Sequence, residues 1–139
     1  MNIKALKAAQ LMTTEFATVD GNATLREAAA LMIQRHVHSL LVLPRDPERC
    51  VGVVTIKDIV QVLCDGEATL LDTLRVSDAV TTPAVSVQKD FLIGDCIRLM
   101  RMSGVRSVPV LDGVRPVGLL SFTDVVRAAA LPGALPPQS

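Results

Sequence analysis

The chain has 139 residues, half of them hydrophobic, with fourteen Lys plus Arg against fourteen Asp plus Glu, so its formal net charge is zero. That length admits one domain or two small intimate halves with a real core, and the charge balance gives no pull toward polyanions or acidic membranes. With no Trp, no Tyr and only Phe16, Phe91 and Phe122, the core must be aliphatic and base-stacking platforms are scarce, which argues against nucleic acid as a partner.

Residues 3 to 12 are rich in helix formers, with Ile3 and Leu6 on one side, and read as a short leading helix. Lys4 and Lys7 precede no apolar leader, and the longest apolar runs, such as Leu40 to Leu43, fall far short of a membrane span. Phe16 to Val19 is a brief extended segment, and Asp20-Gly21-Asn22 is a turn. Thr24-Leu25-Arg26-Glu27 then opens a helix as a capping box, with Thr24 as N-cap and Glu27 reaching back. Leu25, Ala28, Ala29, Met32 and Ile33 follow as its buried stripe. Ser39 to Leu43 is an apolar strand bounded by Pro44, Asp46 and Pro47, Val51 to Val54 is the strand it pairs with, and Ile56 to Leu63 is a second helix. A break at Cys64 to Ala68 leads into Thr69 to Val80, a linker with helical character.

From Ala79 onward the first half recurs. Thr13/Thr81, Thr14/Thr82, Val19/Val87, Leu31/Leu99, Met32/Met100, Val37/Val105, Ser39/Ser107, Val42/Val110 and Leu43/Leu111 are identical at a shift of sixty-eight. The shift then falls to sixty-six, because the loop Pro44 to Cys50 is two residues longer than its twin around Asp112-Gly113. Leu92 stands where Thr24 caps the first copy, so the start of the helix carrying Ile93, Cys96, Ile97 and Met100 is assigned to Asp90. Gly94 in its first turn is expected to weaken it by up to about 1 kcal/mol. Residues 132–139 stop the last helix and read as a mobile tail.

Each copy closes on the same pattern, Gly52-Val53-Val54-Thr55-Ile56-Lys57-Asp58-Ile59 and Gly118-Leu119-Leu120-Ser121-Phe122-Thr123-Asp124-Val125. A hydroxyl followed three residues later by an acid is a capping-box signal at a strand-to-helix junction. Its duplication at matching places points further, because a helix start with free N–H groups is also an anion site, and the functional reading is phosphate and ribose. The three cysteines, Cys50, Cys64 and Cys96, are scattered in apolar surroundings and read as buried free thiols in a reducing, cytoplasmic compartment. Catalysis has no constellation to work with. The only histidines, His36 and His38, stand two apart, Cys64-Asp65 and Asp95-Cys96 are neighbours in sequence alone, and no metal-ligand spacing occurs.

A β-α-β-β-α unit of about sixty residues, repeated once and ending each time in Gly-apolar-apolar-(Ser/Thr)-x-x-Asp-apolar, resembles the tandem CBS (cystathionine β-synthase) domain pair, or Bateman module, over roughly residues 8 to 130. Met12-Thr13-Thr14 with Val19, Val80-Thr81-Thr82-Pro83 with Val85-Ser86-Val87, and Gly104 to Val110 add to the likeness. The resemblance implies an α/β (α+β) fold of two pseudo-symmetric repeats, 8–64 and 77–131, packed through their sheets. Residues 1–7 begin the leading helix and 65–76 form the linker.

It also implies a regulatory module whose clefts between the repeats bind an adenosine compound, AMP, ADP, ATP or S-adenosylmethionine, with no catalytic cofactor and no metal. In that reading Thr55 and Ser121 bond phosphate at a helix start, while Asp58 and Asp124 accept from the ribose hydroxyls, a task suited to an acceptor-only carboxylate. Arg106, and His38 when protonated, stand just before the second strand of each copy, as phosphate clamps or as solvated side chains at a strand edge. Ala17, Thr18, Val85 and Ser86 are the candidates to lie against the purine. The second copy has Val108-Pro109 where the first has Leu40-Leu41, nearer the family pattern, so the Asp124 site is expected to be the fuller one. A purely structural or protein-interaction module with vestigial clefts shares all these features and stays open as the alternative. Leftover apolar helix surface predicts a homodimer, and signalling is expected to pass to a separate effector protein, with no nucleic-acid or membrane partner.

Overall fold

The computed structural model describes residues 2–43, 52–80, 85–131 and 133. The Pro44–Cys50 loop, Val51, the Thr81-Thr82-Pro83 stretch and the 132–139 tail apart from Gly133 lie outside them. A 3₁₀ turn, Ile3–Ala5, is followed in order by α1 (Ala8–Leu11), β1 (Thr18–Asp20), α2 (Leu25–Arg35), β2 (Ser39–Leu43), β3 (Gly52–Thr55), α3 (Ile56–Asp65), α4 (Leu70–Thr73) and α5 (Val76–Ala79). The second half supplies β4 (Val87–Gln88), α6 (Ile93–Ser103), β5 (Ser107–Asp112), β6 (Arg115–Ser121) and α7 (Phe122–Ala130).

These elements form two compact units. The first is Ala17–Ala84, and the second joins Met1–Phe16 to Val85–Ser139. The first unit holds a sheet of order β1-β2-β3, in which Thr18 faces Leu41 in parallel and Ser39 faces Thr55 in antiparallel pairing. Its core gathers Leu25, Ala28 and Met32 of α2 with Leu40, Val42, Val54, Ile59, Leu71 and Val76. Val76, which the sequence reading places in the linker, is thus fully buried. Arg26 of α2 forks onto the Asp72 carboxylate of α4 and donates to Ala68 O at 3.3 Å, tying the linker helix to the repeat it follows. That guanidinium holds the Asp72 carboxyl below its usual value.

The second unit repeats the design with β4-β5-β6, Val87 facing Val110 in parallel and Ser107 facing Ser121 in antiparallel pairing. One difference is dictated by a single residue. Leu41 N donates to Ala17 O at 3.1 Å in the first sheet, but the matching position in the second is Pro109, which has no N–H to give. The first strand there accordingly begins one residue later, at Val87.

The expected leading helix is broken at Leu6-Lys7, where Lys7 is extended (φ −89°, ψ 154°). Its backbone partners lie elsewhere: Ala8 N donates to Phe91 O (2.8 Å), Ala9 N to Lys89 O (3.0 Å), and Ile93 N to Leu6 O (2.7 Å). The same three bonds recur in the first unit sixty-eight positions away, as Val76 N to Ala23 O (2.8 Å), Ser77 N to Gly21 O (2.9 Å) and Leu25 N to Leu74 O (3.0 Å). The segment ahead of the first repeat therefore straps the second, and the segment between the repeats straps the first.

This exchange corrects two expectations about helix starts and adds to a third. Asp90 does not cap α6; it pairs with Lys7 at 3.7 Å in the open, and the first N–H of α6 is bonded by Leu6. Gly94 lies against the strap, where a Cβ would press on Lys4 Cβ at 3.2 Å, so the propensity cost of glycine is set against close packing. Thr24 does accept from Glu27 N at 3.1 Å, but Glu27 closes no reciprocal arm among the described residues, and the flanking N–H of Leu25 is held by Leu74.

Ile33 is also displaced from its expected place, being 68% exposed. At 3.6 residues per turn it falls roughly 100° from the centre of the buried Leu25–Ala28–Met32 stripe, beyond the reach of the core. Among the thiols, Cys64 is exposed, against expectation, whereas Cys96 is buried. Burial, with Asp95 beside it, pushes the Cys96 thiol up to about 11.

Helices α2 and α6 end alike, with a left-handed residue whose N–H turns back to the last carbonyls. It is Gly104 (φ 71°) in the second unit but His36 (φ 54°) in the first. Left-handed backbone favours glycine, so His36→Gly should raise stability by roughly 0.5–1 kcal/mol and Gly104→His should lower it by a similar amount. Urea unfolding of both variants beside the wild type measures the two shifts.

Candidate functional site

Both repeats run from strand into helix without a loop, so Thr55 and Ser121 each end a strand and cap the helix that follows. The hydroxyls do this in the extended conformation that an N-cap requires (Thr55 φ −125°, Ser121 φ −124°). Asp58 N donates to Thr55 Oγ1 (3.2 Å), while Asp58 Oδ2 accepts from Thr55 N (2.8 Å) and Thr55 Oγ1 (3.0 Å). Ser121 and Asp124 repeat this box at 3.2, 2.8 and 2.9 Å.

The strand register adds a third residue and a fourth hydrogen bond to each corner. Because Ser39 faces Thr55 and Ser107 faces Ser121, the residue before each central strand lies next to the helix start. There His38 O accepts from Ile56 N (3.0 Å) and Arg106 O accepts from Phe122 N (3.1 Å). The two positions singled out as cationic thus build the corner with their carbonyls and leave their side chains exposed. The free helix start expected from the motif is largely used up. Of the first four N–H groups, only those of Lys57 and Thr123 have no partner among the described residues, and a carboxylate already sits at the positive end of each helix. An acceptor for hydroxyl donors is a better description of each corner than an anion hole.

Thr55, Asp58, His38, Ala17 and Thr18 all belong to the first unit, and Ser121, Asp124, Arg106, Val85 and Ser86 to the second. Ala17 and Val85 are half-buried against the cores of their own units, Ser86 is half-buried just ahead of β4, and Thr18 is exposed at the start of β1.

The two carboxylates differ in what surrounds them. Asp124 is 7% exposed, and its second oxygen, Oδ1, accepts from Thr13 Oγ1 (3.0 Å) and Arg127 Nη1 (3.2 Å). Thr13 is delivered by the strap, paired with Leu119 through both backbone groups at 2.8 and 3.0 Å. Gly118 allows the crossing, since a Cβ on it would lie 2.5 Å from Met12 Sδ. The glycine that opens the second motif therefore makes room for the strap. In the first unit the position matching Arg127 is Gln61, which turns away to Asp65 (3.1 Å), and no described residue donates to Asp58 Oδ1. The expectation that the second copy is the fuller site meets a physical obstacle here: its carboxylate is the one already occupied. Sequence reasoning missed Arg127, although its i+3 spacing from Asp124 was the available signal.

Among the described residues no cluster of three His, Cys, Asp or Glu side chains is placed to hold a metal, and no helix is long and apolar enough to cross a membrane.

The CBS domain family model matches residues 8–65 and 76–131. The chain belongs to the CBS-domain family. It is 30% identical over 118 residues to the CBS domain-containing protein YhcV of Bacillus subtilis, spanning 82% of this chain and 79% of that one. Among solved structures it resembles a hexameric CBS-CP12 protein from bloom-forming cyanobacteria, at 31% identity and a TM-score of 0.81, covering 87% of this chain and 69% of that one. The CBS domain pair of protein MJ0100, solved in complex with 5′-methylthioadenosine and S-adenosyl-L-methionine, shares the fold at a TM-score of 0.77 and 20% identity, covering 91% of this chain and 97% of that one.

The unequal embedding of the two carboxylates has a stability signature. Asp124→Ala should cost about 2–4 kcal/mol, because it strips a buried corner of four hydrogen bonds, whereas Asp58→Ala should cost about 1–2 kcal/mol, the usual value of a cap. Denaturant titration of the two variants reads the difference directly.

Proposed function

We propose that this chain is a regulatory ligand-sensing module of the cytoplasm that binds an adenosine compound, AMP, ADP, ATP or S-adenosylmethionine, at its two Ser/Thr-x-x-Asp corners and signals the bound state to a partner protein. The observation that carries this reading is the carboxylate at each strand-to-helix corner. Asp58 presents an oxygen that no described residue uses, and an acceptor-only group of this kind suits the vicinal hydroxyls of a ribose. The adenosine-bearing ligands of the MJ0100 domain pair support it, as molecules of the right chemistry held by the same fold. Thr55 and Ser121 hold the carboxylates in place, Arg106 and His38 offer exposed side chains beside the helix starts for a phosphate, and Ala17, Thr18, Val85 and Ser86 are the residues proposed to meet the purine.

A thermal-shift panel of adenine nucleotides and S-adenosylmethionine tests the proposal. A true ligand at 100 times its dissociation constant adds about 2.7 kcal/mol to stability and raises the melting temperature. If no member of the panel moves it, the chain is instead a protein-interaction module with vestigial sites.

The same reading includes a homodimer. Val60 and Leu63 of α3, Val126 of α7 and Met102 of α6 are exposed apolar side chains on the helices, more than an isolated module of this size usefully shows to water. Light scattering should give about twice the chain mass and a Val60→Glu/Val126→Glu variant should shift it toward the monomer; a concentration-independent mass near 14.8 kDa for the wild type rejects the dimer.

A further inference from the structure

We propose that Arg127, with Thr13, forms a latch on Asp124, so that the Asp58 corner takes an adenosine compound first and the Asp124 corner only when the latch is displaced. This rests on the adenosine reading above and fixes the order in which its two corners fill. The argument is a count of acceptor sites. A carboxylate offers about four lone-pair positions. At Asp124 all four are in use: Ser121 N and Oγ on Oδ2, Thr13 Oγ1 and Arg127 Nη1 on Oδ1. At Asp58 the described residues use only Oδ2, through Thr55 N and Oγ1. A ribose diol can therefore dock on Asp58 Oδ1 while every existing bond stays in place. On Asp124 it must first evict a donor.

The two donors are not equally easy to evict. Thr13 is pinned by its backbone pairing with Leu119, so its hydroxyl stays where the strap puts it. Arg127 sits on an outer turn of α7 with its side chain 47% exposed, and water compensates much of the bond it gives up on swinging out. Arg127 is accordingly the moving part, and the residue that makes the corners unequal. Gln61, its counterpart in the first unit, is occupied with Asp65 and makes no bond to Asp58.

Calorimetric titration of the full chain with adenosine, which carries the ribose diol without a phosphate, tests the order. Two steps are expected, the tighter one removed by Asp58→Asn and the weaker one by Asp124→Asn. Arg127→Gln, or Arg127→Met with no donor at all, should tighten the weaker step about two- to fivefold, and adding Thr13→Val should bring the gain to about tenfold. The reciprocal Gln61→Arg, which places a guanidinium three residues after Asp58, should weaken the tighter step about two- to fivefold. With 2′-deoxyadenosine, which lacks the diol, the tighter step should weaken by about tenfold or more. If adenosine fills the Asp124 corner first, or if neither Arg127 variant tightens the weaker step, the latch is refuted while the adenosine reading stands. If adenosine, AMP, ADP, ATP and S-adenosylmethionine all fail to bind the wild type, both fall together.

Discussion

The exchange of leading segments is the constraint on which the rest depends. A helix begins with N–H groups that its own turns cannot satisfy, and in the second repeat the residue at the cap position, Leu92, has no side chain to offer them. The chain solves this with main-chain carbonyls brought from a distance, Leu6 for α6 and Leu74 for α2. Because the donors and acceptors are backbone groups, the arrangement survives divergence of the side chains around it, which is why two repeats of differing sequence keep the same three bonds. Leu11 and Met12 then enter the core of the second unit, so the strap is held by burial as well as by hydrogen bonds.

The functional corners inherit this arrangement. Each is a strand that becomes a helix at a hydroxyl residue, with its carboxylate folded back on the cap and a carbonyl from the neighbouring strand closing the first turn. That much is common to both repeats. What differs is supplied by residues outside the shared motif, since Thr13 arrives on the strap and Arg127 leans back along α7, while the motif's own Gly118 makes space for the strap. Duplicated backbone geometry with unequal surroundings turns one motif into two sites of different accessibility.

The sequence made the strands, the two capped corners and the family likeness legible, because they are written in local patterns: alternation, apolar runs and a hydroxyl three residues before an acid. The features it concealed are non-local. Nothing in Ile3 to Met12 signals that Lys7 turns extended to bridge Leu92, since helix propensity is uniform across it. Gly94 looks like a weak point until Lys4 is seen against it. Arg127 looks like an ordinary solvated residue of a surface helix until the burial of Asp124 gives it a partner. The capping box at Thr24 was read correctly on the side facing the helix and incorrectly on the side facing the linker, where the carbonyl of Leu74, some fifty residues downstream, intervenes.

The continuity of the first unit and the discontinuity of the second bear on how the molecule comes into being. As the chain leaves the ribosome, Ala17–Ala84 has every piece of itself once its last strap has emerged, and can fold as soon as it is made. The segment ahead of it cannot. Ile3, Leu6, Leu11 and Met12 must wait, with their apolar side chains and unpaired backbone, until β6 and α7 have been synthesised more than a hundred residues later. Closing that long interval costs little more entropy than closing a shorter one, because the penalty grows only logarithmically with length. The hazard of this topology lies in timing: residues made before the first unit find their partners only after it.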